Sequence, residues 1–256
     1  MEHNNQDSVI VVEQLVAGYG KSTILDDVSF RVAPGELLAI VGGSGCGKST
    51  LLKYMIGLHR AKQGRVLIHG VDIMSADEEA LNQQRLEIGV LFQSDALIGS
   101  LTLAENVALP LQEHTDLDPS LIYLLVKTKL AMVQLAGYEN HYPSELSGGM
   151  KKRAGLARAM ALDPTILFFD EPSTGLDPIT SAELYALIKN MNRTMRDTMI
   201  IITHDLDLVF TVADRVIMLD RDKKGIIAEG APLALQQNGQ DHRVHDFFNR
   251  KQAACL

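Results

Sequence analysis

The sequence predicts a wound α/β fold with a phosphate-binding loop at its centre, and three observations carry that prediction. Strand and helix signals alternate from one end of the chain to the other, as they do where helices pack on a sheet. The run Leu37 to Val41 is continuously apolar, which is how a strand buried on both faces reads; it opens into a glycine cluster and then a helix from Lys48 to Gly57. A second apolar run, Ile166 to Phe169, ends on the paired carboxylates Asp170 and Glu171.

In chain order, residues 1–8 are polar and acidic rather than basic then apolar, so they read as a disordered lead and not as a signal peptide. Val28, Phe30 and Val32 alternate with polar residues as a half-buried strand, and Pro34-Gly35 marks the turn after it. Further strands are expected at Arg65 to His69, Gly89 to Phe92, Ile166 to Asp170, Met199 to Thr203 and Arg215 to Leu219. From Ser100 to Ser147 the chain is rich in Leu and Ala with helical spacing and no good strand. Residues 100–147 therefore read as a helical subdomain inserted into a core made of residues 9–99 and 148–231. In the closing segment, residues 232–256, Val244, Phe247 and Phe248 are spaced like one face of a short helix, which would cover the core or, in a second reading, dock a neighbouring subunit.

Composition excludes several classes. The 256 residues carry a net charge of −8, against the clustered cations that a nucleic-acid backbone requires, so no nucleic-acid partner is expected. No run approaches the roughly 18 apolar residues that span a bilayer. The two cysteines, Cys46 and Cys255, fit neither a disulfide framework nor a zinc site, and a reducing compartment is the simplest reading.

The strongest chemical signal is Gly42-Gly43-Ser44-Gly45-Cys46-Gly47-Lys48-Ser49, followed by Thr50, which fits the P-loop pattern in its required context of strand, loop and helix. The glycines let successive amides point at one phosphate cluster, and the dipole of the following helix adds to the attraction. Lys48 would sit on the β and γ phosphates of ATP and Ser49 would put its hydroxyl on Mg²⁺. The same amides and Lys48 are expected to favour a thiolate at Cys46. Asp170, rigid at a strand end, would hold Mg²⁺ through water, and Glu171 would polarise the water that attacks the γ-phosphate.

Between these elements lies Ser144-Glu145-Leu146-Ser147-Gly148-Gly149-Met150-Lys151-Lys152-Arg153, which resembles the LSGGQ-like signature of the ABC ATPases, with Met150 where Gln is usual. The segment opens a helix running to about Ala161, so its free amides and the Ser147 hydroxyl make a second anion site. The resemblance implies a P-loop NTPase core of ABC ATPase type, with an antiparallel β subdomain beside the helical insert. It also implies a head-to-tail dimer with a second copy, in which Ser147, Gly148 and Gly149 of one chain cover the ATP on the other. By position it assigns Tyr19 to adenine stacking, Gln93 to the metal and the attacking water, Asp177 to the loop that crosses the dimer interface, and His204 to the γ-phosphate.

A finer resemblance lies in Leu91-Phe92-Gln93-Ser94-Asp95-Ala96-Leu97, in Ala108-Leu109-Pro110-Leu111-Gln112-Glu113-His114-Thr115 and in the signature with its Met150. These are similar to the Mla and Mce group of bacterial lipid-transport ATPases. That implies phospholipid movement between inner and outer membranes, with an integral-membrane permease, an MCE substrate-binding protein and a small STAS-domain subunit as partners. The site of action would be the cytoplasmic face of the inner membrane. The alternative is the ATPase of an amino-acid or other small-solute importer, which would share every catalytic residue. A chromosome or repair ATPase would separate loop and signature by long coiled coils, whereas Lys48 and Ser147 stand 99 positions apart.

Overall fold

The computed structural model describes residues 8–20, 22–94, 96–238 and 241–253; Cys255 and, apart from Ser8, the expected disordered lead lie outside them. The chain begins with β1 (Ile10–Tyr19), β2 (Ser22–Val32), β3 (Leu37–Gly42) and α1 (Lys48–Met55). After β4 (Gln63–Ile68), β5 (Val71–Asp72), α2 (Glu78–Leu86) and β6 (Ile88–Leu91) it becomes helical, with α3 (Leu103–His114), α4 (Pro119–Met132) and α5 (Gly148–Ala159). Strands return as β7 (Ile166–Asp170), β8 (Thr198–Ile202), β9 (Arg215–Asp220) and β10 (Gly225–Gly230). Among these and after them lie α6 (Pro178–Met195), α7 (Leu206–Val212), α8 (Pro232–Asn238) and α9 (His242–Ala253). None of these helices is long and apolar enough to cross a membrane.

Two sheets form an α/β architecture. An antiparallel sheet has the order β2-β1-β4-β5, and a six-stranded sheet has the order β10-β9-β3-β8-β7-β6, parallel from β9 to β6 with β10 antiparallel at the edge. The parallel strands are apolar along their interiors because both faces are covered, and their side chains divide by parity. Leu38, Ile40, Phe168, Ile200 and Ile217 pack toward α1 and the antiparallel sheet. Leu167, Phe169, Met199 and Ile201 pack toward the helices on the other face, while Ala39, Val41, Val216 and Met218 meet α7 and α9.

The sequence singles out no strand before Val28, yet β1 is ten residues long and pairs with both β2 and β4. Its apolar alternation is interrupted by register shifts between Val12 and Leu15 and again at Ala17, with Gln14 at φ 48°. A β-bulge adds a residue and flips the parity of every later position in the strand, so a period of two is lost in the sequence while the pairing survives.

Between residues 100 and 147 lie α3, α4 and a short 3-10 turn at Pro143–Glu145, with no strand among the described residues. Thr102 starts α3 with a reciprocal capping box to Glu105. The wholly buried Asn106 fixes the loop before that helix. Its amide donates to the carbonyls of Ile98, Leu101 and Thr102, and its oxygen accepts from the Ile98 N–H at 2.8 Å.

At the other end, α9 lays Val244, Phe247 and Phe248 into a cluster with Ala39, Val41, Val209 and Val216, so the apolar face read in the sequence does cover the core. Phe248 is 1% exposed and meets Phe210 and Phe247 edge to face, with ring centroids 6.0 and 5.4 Å away. Phe248→Ala is expected to cost about 3–5 kcal/mol in a denaturant titration, because the cavity lies inside the fold. A loss under about 1 kcal/mol would mean that α9 is an appendage and not a wall of the core.

Candidate functional site

The parallel strands end on one edge of the large sheet, and neighbouring ends deliver the chemistry. β3 runs into the glycine loop, β6 stops just before Gln93, β7 ends on Asp170 and is followed by Glu171, and β8 is followed by Thr203 and His204. A cavity of about 680 Å³ opens there, lined by most of the Gly42–Thr50 loop with Gln93, Glu171, Thr174 and His204, and closed at its sides by Ile24 and Phe247.

The loop takes its shape from glycine. Gly42 has φ 144°, and a Cβ on it would stand 2.3 Å from the Leu219 carbonyl oxygen; Gly47 has φ 106°, and a Cβ there would stand 2.7 Å from Leu25 Cδ2. Gly47 also begins α1 without a side-chain cap, whereas Asp77, Thr102, Asp118, Ser147, Asp177 and Asp205 cap α2 to α7 in turn. The first amides of α1, on Lys48, Ser49 and Thr50, are thus left for an anion at the positive end of the helix. Lys48 Nζ donates to the carbonyls of Gly42 at 2.8 Å and Gly43 at 3.2 Å, which holds its charge against the loop.

The expected thiolate at Cys46 is not favoured. The side chain is 1% exposed, and burial pushes its thiol above the ordinary value more strongly than the Lys48 charge pulls it down. Cys46 lies beneath the loop and does not line the cavity.

On the acidic strand, Asp170 Oδ1 is buried without a hydrogen-bond partner. Burial and then the neighbouring Glu171 push this carboxyl up, against the charges of Lys53, Lys48 and Lys152. An unpaired carboxylate oxygen beside a phosphate loop fits a divalent cation, and the Ser49 hydroxyl and Gln93 amide oxygen add donors of the right kind. Among the described residues no cluster of three or more His, Cys, Asp or Glu could hold a metal.

Glu171 sits at φ 50°, a left-handed kink that ends the strand, while its N–H still bonds the Ile202 carbonyl at 2.8 Å. Its carboxylate lies 2.8 Å from His204 Nδ1 and accepts from the Thr203 hydroxyl at 3.4 Å. A carboxylate only accepts, so this contact puts a proton on Nδ1 and fixes the imidazole's orientation. A half-buried acid holds the two turns together. Asp205 accepts from Ser173 at 3.0 Å and from Tyr185, and caps α7. Burial and the Asp205 hydrogen bond push the Tyr185 hydroxyl up to about 12, so it stays a donor.

Tyr19, Asp170, Ser147, Gly148, Gly149 and Asp177 do not line the cavity. Tyr19 ends β1 with its ring 5.6 Å from His59 and Lys53 Nζ 5.8 Å from its centroid. The signature residues share a surface with Asp177. A Cβ on Gly149 would meet Thr180 Cγ2 at 2.3 Å, and Asp177 holds that threonine through its N–H at 3.1 Å while capping α6. Ser147 accepts from the Met150 N–H at 3.3 Å, leaving its hydroxyl proton to donate.

Three wall residues carry no sequence signal that marks them as part of the site. Thr174 lies in the turn that follows Glu171, while Ile24 and Phe247 reach the cavity from β2 and α9. Lys152 stands in the signature segment, but the sequence gives it no role of its own. The residue is 3% exposed and its ammonium donates to the Gln93 carbonyl.

The burial of Cys46 has a direct consequence. With Cys255→Ser in place, a thiol reagent at pH 8 should modify the remaining cysteine at least about tenfold more slowly than free cysteine, because the thiol is raised and enclosed. A rate equal to that of free cysteine would contradict the buried placement.

The chain matches the ABC transporter family over residues 25–174. It is 45% identical over 240 residues, 94% of its length, to the "Probable ribonucleotide transport ATP-binding protein mkl" of Mycobacterium bovis, and it spans 66% of that protein's length. It is 42% identical over 94% of its length, and over 90% of the relative's, to the "Intermembrane phospholipid transport system ATP-binding protein MlaF" of Haemophilus influenzae. It is 41% identical over 84% of its length to the "Methionine import ATP-binding protein MetN" of Brucella abortus, covering 57% of that chain. Among solved structures, the ATP-binding cassette MJ0796, in a dimeric post-hydrolysis state bound to ADP and Pi, superposes with a TM-score of 0.78. The two share 30% identity, over 87% of this chain and 98% of the other. With the family's pattern matched over more than half its length, and with the phosphate loop, acidic strand and signature arranged as above, this chain belongs to the ABC transporter family.

Proposed function

We propose that this chain is the ATP-binding and ATP-hydrolysing subunit of an ABC transporter, acting as a head-to-tail dimer with a second copy of itself. The observation that carries the reading is the pairing of Glu171 with His204 at the mouth of an uncapped, glycine-shaped helix start. One helix start and Lys48 receive the β and γ phosphates; Glu171 takes a proton from the attacking water, and His204, oriented through Nδ1, meets the γ-phosphate. Ser49, Asp170 and Gln93 would hold Mg²⁺, which neutralises charge on the transferred phosphoryl group. Tyr19 would stack on adenine. Ser147, Gly148 and Gly149 stand away from the cavity of their own chain, on a surface shared with Asp177, as a face that closes the partner copy's ATP would. Residues 9–99 and 148–231 form the catalytic core in this reading, and 100–147 the helical subdomain.

The cargo we propose is phospholipid, moved between bacterial inner and outer membranes by an integral-membrane permease, with an MCE protein and a STAS-domain subunit as further partners. Support comes from the similarity to the MlaF protein across nearly the full length of both chains. Further support lies in a groove of about 700 Å³ that gathers Phe92, Pro110 and His114, taken from two of the segments that resemble the lipid-transport group. Such a groove, next to Gln93, suits a permease loop at the cytoplasmic face. Similarity to proteins named for ribonucleotide and methionine transport favours the small-solute reading instead.

Glu171→Gln should bind ATP and accumulate as an ATP-bound dimer while turnover falls about 10²–10⁴-fold, as when a general base is lost. Near wild-type turnover in the purified complex would remove Glu171 from that role. The cargo is tested by purifying the chain with its permease and extracting what is bound. Mass spectrometry should find phospholipid at about one or more per complex; a nucleotide or amino acid in its place would make the small-solute reading the correct one.

A further inference from the structure

A lysine with its ammonium inside the protein is an expensive way to fill space, since an apolar side chain of the same length would do it without desolvating a charge. Lys152 is such a residue. It is 3% exposed, one turn into α5 beyond Gly148, and its ammonium donates to the main-chain carbonyl of Gln93. Its charge also reaches the Asp170 carboxylate. Six residues further along the same helix, Arg158 donates to the Ala96 carbonyl at 2.6 Å. The loop after β6 is therefore fastened to α5 by its main chain near both ends. Its Gln93 side chain stays available to the cavity.

We propose that Lys152 is the positioning residue that ties Gln93 to the start of α5, so that the glutamine at one ATP site and the Ser147–Gly149 turn shift as one piece. This rests on the reading of Gln93 as a contact to metal and attacking water. The physical basis is directional. A buried ammonium gives up a strong hydrogen bond if the loop moves without the helix, so displacement of Gln93 carries α5, and the signature turn at its head, with it. In the head-to-tail dimer that turn belongs to the other ATP, and the tie links the two sites through four residues of helix.

The test is a double-mutant cycle on the full-length protein, reading ATP turnover, ATP affinity and amide exchange. Lys152→Met should lower kcat about tenfold or more with ATP affinity within about twofold of wild type, since a small misplacement of a catalytic contact costs rate before binding. Lys152→Arg, which keeps a charged donor, should recover kcat to within about threefold of wild type. The double variant Lys152→Met with Gln93→Ala should be no slower than Gln93→Ala alone, because residues acting as one unit are not additive. Amide exchange over residues 93–98 should rise in Lys152→Met while that of β3 is unchanged, a readout that needs no turnover. Additive losses with an impaired Gln93→Ala, an unchanged kcat in Lys152→Met, or exchange that rises equally in β3 would each overturn the inference. Gln93→Ala at the wild-type rate would remove the catalytic assignment of Gln93, and this inference with it.

Discussion

Parallel pairing of β3 with β8 and of β8 with β7 sets Ile40 beside Ile202 and Ile202 beside Asp170, and the site depends on this register. Strands buried on both faces have no room for polar side chains along their length, so polar groups collect where the strands stop. The glycine loop, Gln93, Glu171 and His204 meet because adjacent strands stop on the same edge. Asp205 then converts proximity into fixed geometry. One carboxylate, held below its ordinary range by Tyr185 and Ser173 in spite of burial, joins the turn after Glu171 to the turn after His204. The left-handed backbone at Glu171 is tolerated inside that frame.

Three enclosed or half-buried cations of this protein each join one element to another part of the chain. Arg215 on β9 bonds Glu36 at 2.6 and 3.0 Å and also Glu229 and the Arg31 carbonyl, which joins the six-stranded sheet to the antiparallel one. Lys129 of α4, 3% exposed, pairs with Asp163 in the turn before β7. Lys152 holds the loop after β6 to α5. Ion pairs of this kind add little net stability over apolar packing, but they reward one relative placement of two parts and penalise the others.

Much of the site was legible in the residues themselves. The loop from Gly42 to Thr50, the strand ending in Asp170 and Glu171, and the helix opened by Ser147 are each contiguous, and each owes its chemistry to backbone geometry that glycine, a helix start or a strand end dictates locally. The alternation of strand and helix gave the fold class, and the spacing of Val244, Phe247 and Phe248 gave a covering helix that the structure contains. A contiguous motif folds into the same local shape wherever its ends are led, so it can be read without knowing the rest of the chain.

The features that stayed hidden depended on partners far away in sequence. β1 escaped because bulges break its period, and its identity as a strand comes from β2 and β4 on either side. The direction of the Cys46 shift was set by burial under the loop, which no neighbour in sequence reports, and it reversed the expectation drawn from Lys48 alone. Asn106, Tyr185 and Lys152 look like ordinary helix residues until the fold brings to them the Ile98 loop, Asp205 and Gln93. The sequence by itself determined where the glycine loop, the paired carboxylates and the helix start at Ser147 fall, because those depend on bonds between neighbours. The tertiary structure alone decided burial, pairing and alignment, because desolvation and hydrogen-bond geometry are properties of whatever surrounds a side chain, and only the folded chain specifies the surroundings.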